Sequence, residues 1–351
     1  MSDYTISQVH PSDSRAMAQI DELLLKEGIR RDKNLDYTCA MYDENYDIIG
    51  TGSCFGNTLR CFAVSHDHQG EGLLNEIITH LMDEQYAKGN FHLFLYTKTT
   101  SAVFFGDLGF YEIARVRDTL VFMENRRTGF ADYLKKLERE TPPTPAGARI
   151  GAIVMNANPF TLGHLYLVEK AAAECDQLHL FAVSEDASLI PFSVRRKLIL
   201  EGTAHLPNVV LHDSGPYMIS NATFPSYFLK DENAVIEGHA RLDLAVFGRI
   251  AAALGITVRY VGEEPTSQVT GLYNKIMAED LPASGIACRV IPRKEAAGAA
   301  ISASTVRRAL QTGDDSLFKS LVPETTYAFF HTPAAEPILK RIRSAGDVVH
   351  Y

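Results

Sequence analysis

From residue 150 onward, apolar runs and amphipathic stretches alternate along the chain in the rhythm of a repeated strand–helix unit. Apolar runs at 150–155, 178–183, 208–212 and 257–261 predict strands, and periodic stretches at 163–174, 192–204 and 237–254 predict helices. Residues 213–233 follow neither pattern, and a long loop leads from 261 to a strand at 287–291 and a helix from Ser304. This order predicts a Rossmann-like, doubly wound parallel α/β sheet, in which ligands bind beyond the carboxyl ends of the strands. Ahead of it the periodicity changes. Strands at 36–42, 47–53, 58–64, 92–96 and 110–123, with helices at 14–26, 72–88 and 101–107, predict a smaller mixed α/β unit.

Between the two lies Thr141-Pro142-Pro143-Thr144-Pro145-Ala146-Gly147, after a charged amphipathic helix at 129–140. Such a segment continues neither helix nor strand. The expected organisation is therefore an N-terminal domain over 1–140, a linker over 141–148 and a C-terminal domain over 149–351.

A chain of 351 residues exceeds what one core usually serves, and its hydrophobic fraction of 46% is ordinary. A net charge of −9 argues against nucleic acid as the main ligand. The basic clusters Arg195-Arg196-Lys197 and Arg307-Arg308 are too short to change that. No apolar run approaches the length of a membrane span, and the first residues lack a basic and apolar leader, so the expectation is a cytoplasmic protein without a membrane partner. The cysteines at 39, 54, 61, 175 and 288 are scattered and odd in number, which predicts reduced core residues and no protein-ligated metal. His66 and His68, flanking Asp67, read as surface residues beside a glycine turn.

The candidate chemistry sits in Met155-Asn156-Ala157-Asn158-Pro159-Phe160-Thr161-Leu162-Gly163-His164, which closes a predicted strand and opens a predicted helix. A Gly-His pair at a helix start offers backbone N–H groups, the positive end of the helix dipole and an imidazole to an anion over the turn. The natural anion is a nucleotide phosphate. Ile301-Ser302-Ala303-Ser304-Thr305-Val306-Arg307-Arg308 is a second such start, rich in hydroxyls and guanidinium groups.

Together these segments resemble the T/HxGH and ISSTxxR-type motifs of the nucleotidyltransferase superfamily. The resemblance implies attack by an acid group on the α-phosphate of a nucleotide, release of pyrophosphate, and catalysis by positioning and charge stabilisation. It gives His164 the role of donor to the α-phosphate and Thr161 a contact to the β/γ-phosphates. Phe160, Gly163, Ser302, Ser304, Thr305 and Arg307 would join the ATP site, with Asn156 and Asn158 flanking the reacting centre. Lys197 falls where family members place a cation near the acceptor, and Gly262 and Glu264 where adenine and ribose are expected. Mg²⁺ would accompany ATP, held by phosphates and water.

In the N-terminal unit, Gln69-Gly70-Glu71-Gly72-Leu73-Leu74 lies between a predicted strand and helix and resembles motif A of the GNAT acetyltransferases. Phe105-Gly106-Asp107-Leu108-Gly109-Phe110-Tyr111 resembles the entry to the closing strand of that fold. Leu74 departs from the pattern, because it takes the place of a small residue. The resemblance implies a groove for a phosphopantetheine-type arm at Gln69, Gly70 and Gly72.

A GNAT-like unit followed by a TxGH unit is the arrangement of the citrate lyase ligases. Further segments resemble that family: the run from Glu201 to Val209, the run from Ile219 to Phe228, Val261-Gly262-Glu263-Glu264-Pro265 and Tyr273-Asn274. The polar, aromatic stretch holding Ser220, Asn221, Thr223, Phe224, Ser226 and Tyr227 is a candidate for closing an acid pocket. Membership implies activation of acetate by ATP to acetyl-adenylate. Transfer to the thiol of a phosphoribosyl-dephospho-CoA group on the acyl carrier subunit of citrate lyase follows. Two other readings remain: an adenylyltransferase for a phosphate-bearing metabolite such as phosphopantetheine or nicotinamide mononucleotide, and a non-catalytic carrier-binding, nucleotide-sensing module.

Overall fold

The computed structural model describes residues 4–32, 34–218, 224, 232–263, 268–296 and 299–346. Its contacts form two compact units, Met1–Asp132 with Thr223–Ala245, and Tyr133–Ala222 with Val246–Tyr351. The division differs from the linear one expected at 141–148. It cuts the helix Gly129–Glu140 itself, because the Phe130 amide donates to Glu124 within the first unit while Tyr133 donates to the Asp213 carbonyl and packs on Tyr217 within the second.

In the first unit, β1 (Thr5–Gln8), α1 (Ser14–Lys26), β2 (Tyr37–Tyr42), β3 (Ile48–Phe55) and β4 (Thr58–Val64) precede α2 (Leu73–Ala87). Then come β5 (Phe94–Thr97), α3 (Ala102–Asp107), β6 (Tyr111–Val116) and β7 (Leu120–Glu124). Among the described residues they build a seven-stranded sheet in the order β1-β2-β3-β4-β5-β7-β6. The predicted strand at 110–123 is a hairpin, turned at Asp118, whose φ of 56° lies in the left-handed region that Asp tolerates. The four-residue edge strand β1 had no alternation to announce it.

β4 and β5 are parallel but pair only at Thr58↔Phe94 and Leu59↔Leu95, while the rest of each strand runs on apart. A cleft of about 640 Å³ opens there, with the turn before α2 in its lining.

After α4 (Gly129–Glu140), the second unit runs β8 (Ile150–Met155), α5 (Leu162–Glu174), β9 (Gln177–Ala182), α6 (Phe192–Gly202) and β10 (Val209–Asp213). There follow α7 (Glu232–Leu254), whose residues through Ala245 belong to the first unit, and then β11 (Val258–Gly262), α8 (Gln268–Asp280), β12 (Ala287–Ile291), α9 (Ala303–Thr312), α10 (Asp315–Leu321), α11 (Glu324–Phe330) and α12 (Glu336–Ser344). The strands pair in parallel in the order β10-β9-β8-β11-β12. β8 and β9 are buried throughout or nearly so, as strands covered on both faces must be, and their apolar runs supply the core.

The chain winds outward from β8 through β9 to β10, then crosses to β11 on the other side. β8 and β11 pair only at Val258↔Gly151 and Arg259↔Ala152, so their carboxyl ends part and leave the crevice where such sheets take ligands. α8 occupies part of what reads as a long loop, since its Thr270 and Gly271 weaken the helical signal and Ile276 and Met277 supply its buried face.

Candidate active site

The turn from β8 to α5 opens at that crevice. Thr161 is the N-cap of α5: its Oγ1 accepts the His164 N–H at 3.2 Å, and its own N–H donates to His164 Nδ1 at 3.1 Å. A backbone N–H can only donate, so Nδ1 is an acceptor and the proton of the neutral ring sits on Nε2. The Phe160 ring stacks on the imidazole with centroids 5.9 Å apart and planes at 15°. Burial, helped by the charges of Arg293 and Arg307, lowers the pKa of His164 to about 4. His164 is thus a neutral, oriented Nε2–H donor at physiological pH.

Gly163 lets the second motif close on this turn. A Cβ there would stand 3.1 Å from the carbonyl oxygen of Ile301, the residue before the N-cap of α9. Ser302 caps α9 by accepting the Thr305 N–H at 3.1 Å, and its Oγ lies 2.8 Å from Ser304 Oγ and 2.8 Å from Thr305 Oγ1. Arg307 runs inward, where its Nη1 donates to the Asn158 carbonyl at 2.6 Å. The Asn158 Oδ1 accepts the Ile190 N–H at 3.2 Å, while its buried Nδ2 has no hydrogen-bond partner among the described residues. Asn156, Asn158, Thr161, Gly163, His164, Ser302, Ser304, Thr305 and Arg307 are therefore brought together around this turn.

Other expected residues take different places. Phe160 is fully buried with its ring where a Cβ on Gly202 would meet it at 2.6 Å, so it supports His164 from beneath and has no face for a nucleotide. Thr161 is buried, with its hydroxyl accepting the His164 N–H and lying 2.9 Å from His164 Nδ1, so it positions the imidazole. Lys197 is exposed on α6, 3.8 Å from Glu201 and over the Phe329 ring, and none of its described contacts reaches the turn. The helix sends Arg195 there instead. Gly262 ends β11, with its carbonyl accepting from Asn274 Nδ2 at 3.0 Å. Glu264 lies outside the described residues, as do Ser220, Asn221, Thr223, Ser226 and Tyr227. Phe224 is buried against Tyr96 and His239 in the first unit.

Arg293 carried no motif in the sequence. Its Nε donates to the Glu263 carbonyl at 2.7 Å beyond the end of β11, and its charge is felt at His164.

In the first unit, Gln69, Gly70 and Gly72 line the cleft between β4 and β5, together with Phe62, Tyr96 and Leu74. Gly70 and Gly72 have φ of 92° and 82°, values that favour glycine, and Gly72 is an N-cap of α2 without a side-chain cap. Leu74 lines the cleft from the first turn of that helix. Among the described residues no group of His, Cys, Asp and Glu is arranged to hold a metal, and no helix is long and apolar enough to cross a membrane.

A mixed α/β unit with a glycine-turn cleft thus accompanies a parallel α/β unit with a capped histidine at the crevice between β8 and β11. The family described as the citrate lyase ligase C-terminal domain matches residues 150–330. The chain is 43% identical over 287 residues to the [citrate [pro-3S]-lyase] ligase of Klebsiella pneumoniae, covering 80% of this chain and 83% of that protein. Among solved structures it is similar to an acetyltransferase of the GNAT family from Staphylococcus aureus, at 14% identity and TM-score 0.30, over 35% of this chain and 99% of that one. It is also similar to Thermotoga maritima TmcAL, solved with alpha-thio ATP, at 14% identity and TM-score 0.36, over 54% of this chain and 56% of that one. The chain belongs to the citrate lyase ligase family.

Proposed function

We propose that this enzyme activates acetate with ATP and passes the acetyl group to the thiol of the CoA-like prosthetic group on the citrate lyase acyl carrier subunit. A carboxylate oxygen of acetate forms a bond to the α-phosphorus as the bond to the bridging oxygen breaks, and pyrophosphate leaves. The thiol sulfur then bonds to the acyl carbon, the carbon–oxygen bond to the nucleotide breaks, AMP leaves and the sulfur's proton passes to solvent. The observation that carries the reading is His164, fixed by Thr161 as a neutral Nε2–H donor at the crevice where β8 and β11 part. Such a donor stabilises charge as it builds on the α-phosphate oxygens, without needing a covalent intermediate. Mg²⁺ would accompany the nucleotide and offset charge on its phosphates, with no protein ligand required.

The cleft of the first unit supports the second step. Its glycine turn and apolar walls suit a pantetheine arm, and Gln69, Gly70 and Gly72 are the residues proposed to hold it. The test is incubation of the full chain with deacetylated carrier subunit, acetate, ATP and Mg²⁺. Thioester, AMP and pyrophosphate in equal amounts are expected; ADP and phosphate, or AMP transferred to a second metabolite, would overturn the reading.

A further inference from the structure

Arg195 is fully buried on α6, and all its described hydrogen-bond acceptors are neutral oxygens. Nε donates to the Ile190 carbonyl at 3.0 Å, and Nη1 to the Val183 carbonyl at 2.8 Å. Nη2 donates to the Glu185 carbonyl. Nη1 also reaches the Asn156 carbonyl at 2.8 Å and the Asn156 side-chain Oδ1 at 2.7 Å. One guanidinium thus ties the residues just past β8 to those past β9 and to the start of α6. Burial lowers its pKa, and the carboxylates of Asp186 and Glu185 act in the opposite sense.

A clamp for loops needs only backbone carbonyls. The bond to Oδ1 does something else: a guanidinium has no acceptor, so the Asn156 atom facing it must be the oxygen, and the amide nitrogen is turned the other way. That nitrogen donates to Ser188 Oγ at 3.1 Å. An amide nitrogen carries two hydrogens, and Ser188 takes one. Asn156 is partly exposed, two residues ahead of Asn158 and at the mouth of the same turn that carries the Thr161–His164 cap. It therefore presents an oriented N–H donor, polarised from behind by a buried positive charge, at the carboxyl end of β8.

We propose that Arg195 is a positioning residue of the acid subsite and acts through Asn156, whose amide nitrogen donates to the carboxylate of the acid being activated. The inference rests on the acid-activation reading above. It assigns the acetate carboxylate to Asn156, a residue that the family resemblance sets beside the reacting centre of the ATP site.

The test uses the full chain, trapping the acyl-adenylate with hydroxylamine and measuring initial rates against acetate and against ATP. Asn156→Ala should raise KM for acetate about tenfold or more while KM for ATP changes little. Arg195→Lys should do the same, and the double variant should be no worse than the poorer single one. Asn156→Asp separates positioning from scaffolding: the aspartate keeps an acceptor for Arg195 but offers the acid no donor and a like charge. Acetate KM should therefore rise at least as far as in Asn156→Ala, with the thermal midpoint kept, and this arm stands even where Arg195→Lys fails to fold. The proposal is overturned if Asn156→Asp restores wild-type KM for acetate, if the penalties of Arg195→Lys and Asn156→Ala multiply, or if the change falls on ATP. Failure of the wild type to form any hydroxamate from acetate, ATP and Mg²⁺ is a different pattern; it would sink the acid-activation reading and this proposal together.

Discussion

The backbone N–H of Thr161 donates to Nδ1 of His164 at 3.1 Å, and this one bond decides what the imidazole can do. With Nδ1 committed as acceptor, the ring meets a ligand as an Nε2–H donor, and burial keeps it neutral down to about pH 4. His164→Ala should lower turnover by roughly 10²–10³-fold with little change in ATP affinity, as for loss of one preorganised oxyanion donor. Steady-state rates beside direct ATP titration check it.

The same shift has a sign that can be read in a pH profile. A lowered pKa means that His164 takes up no proton between pH 6.5 and about 5, so turnover should show no acid limb near 6.5 owing to this residue. Comparison of kcat against pH for the wild type and His164→Gln measures this; an inflection near 6.5 that disappears in the variant would contradict the assignment.

Stability should follow a related rule. His179 and His212 lie side by side on β9 and β10, with Nδ1 of one 2.9 Å from Nε2 of the other. Burial is the leading cause that holds them at about 3 and about 4, as it holds His164 at about 4. Groups with lowered folded pKa favour folding above their unfolded value near 6.5, and that contribution is lost as pH falls through the folded values. Urea midpoints should therefore be level above pH 7 and decline from about 6 toward 4, with a shallower decline in His212→Gln.

Gly163→Ala tests the closing of the two motifs. The added Cβ meets the Ile301 carbonyl, a backbone atom, at 3.1 Å, so the residues ahead of α9 must shift. The expected stability loss is about 1–3 kcal/mol, as for overpacking, with a larger effect on turnover than on the melting temperature, because Ser302 and Arg307 move with Ile301. Paired melting curves and rates distinguish this from general unfolding.

The TxGH and ISAS segments were legible because each combines a helix start with the residue types that hold an anion, and the fold put them together at Gly163 and Ile301. The parallel sheet was legible because buried strands such as Ile150–Met155 are continuous apolar runs. What escaped was set by tertiary contact. Phe160 reads as a ligand contact from its motif, yet packing on Gly202 claims it, and Thr161 is the cap of α5. Arg195, Arg196 and Lys197 are equivalent in sequence, and only the direction of each side chain from α6 separates the buried clamp from the Asp213 pair and the exposed lysine. Arg293 reaches the site across β11 and β12, a relationship that no spacing encodes.

The two half-reactions should separate in the cleft of the first unit. Gly70 and Gly72 hold left-handed φ values that alanine adopts only with strain. Gly72→Ala should slow acetyl transfer to the carrier at least tenfold while acetyl-adenylate formation stays near wild type. Parallel assays with carrier and with hydroxylamine show whether the loss is confined to the thiol step.

The central claim is that ATP is cleaved at its α-phosphate by an acid, and exchange of labelled pyrophosphate into ATP tests it most directly. With full-length protein, Mg²⁺ and no carrier, exchange should appear on addition of acetate and be lost in His164→Ala. Exchange that ignores acetate, or that needs a phosphate-bearing metabolite in its place, would contradict the account.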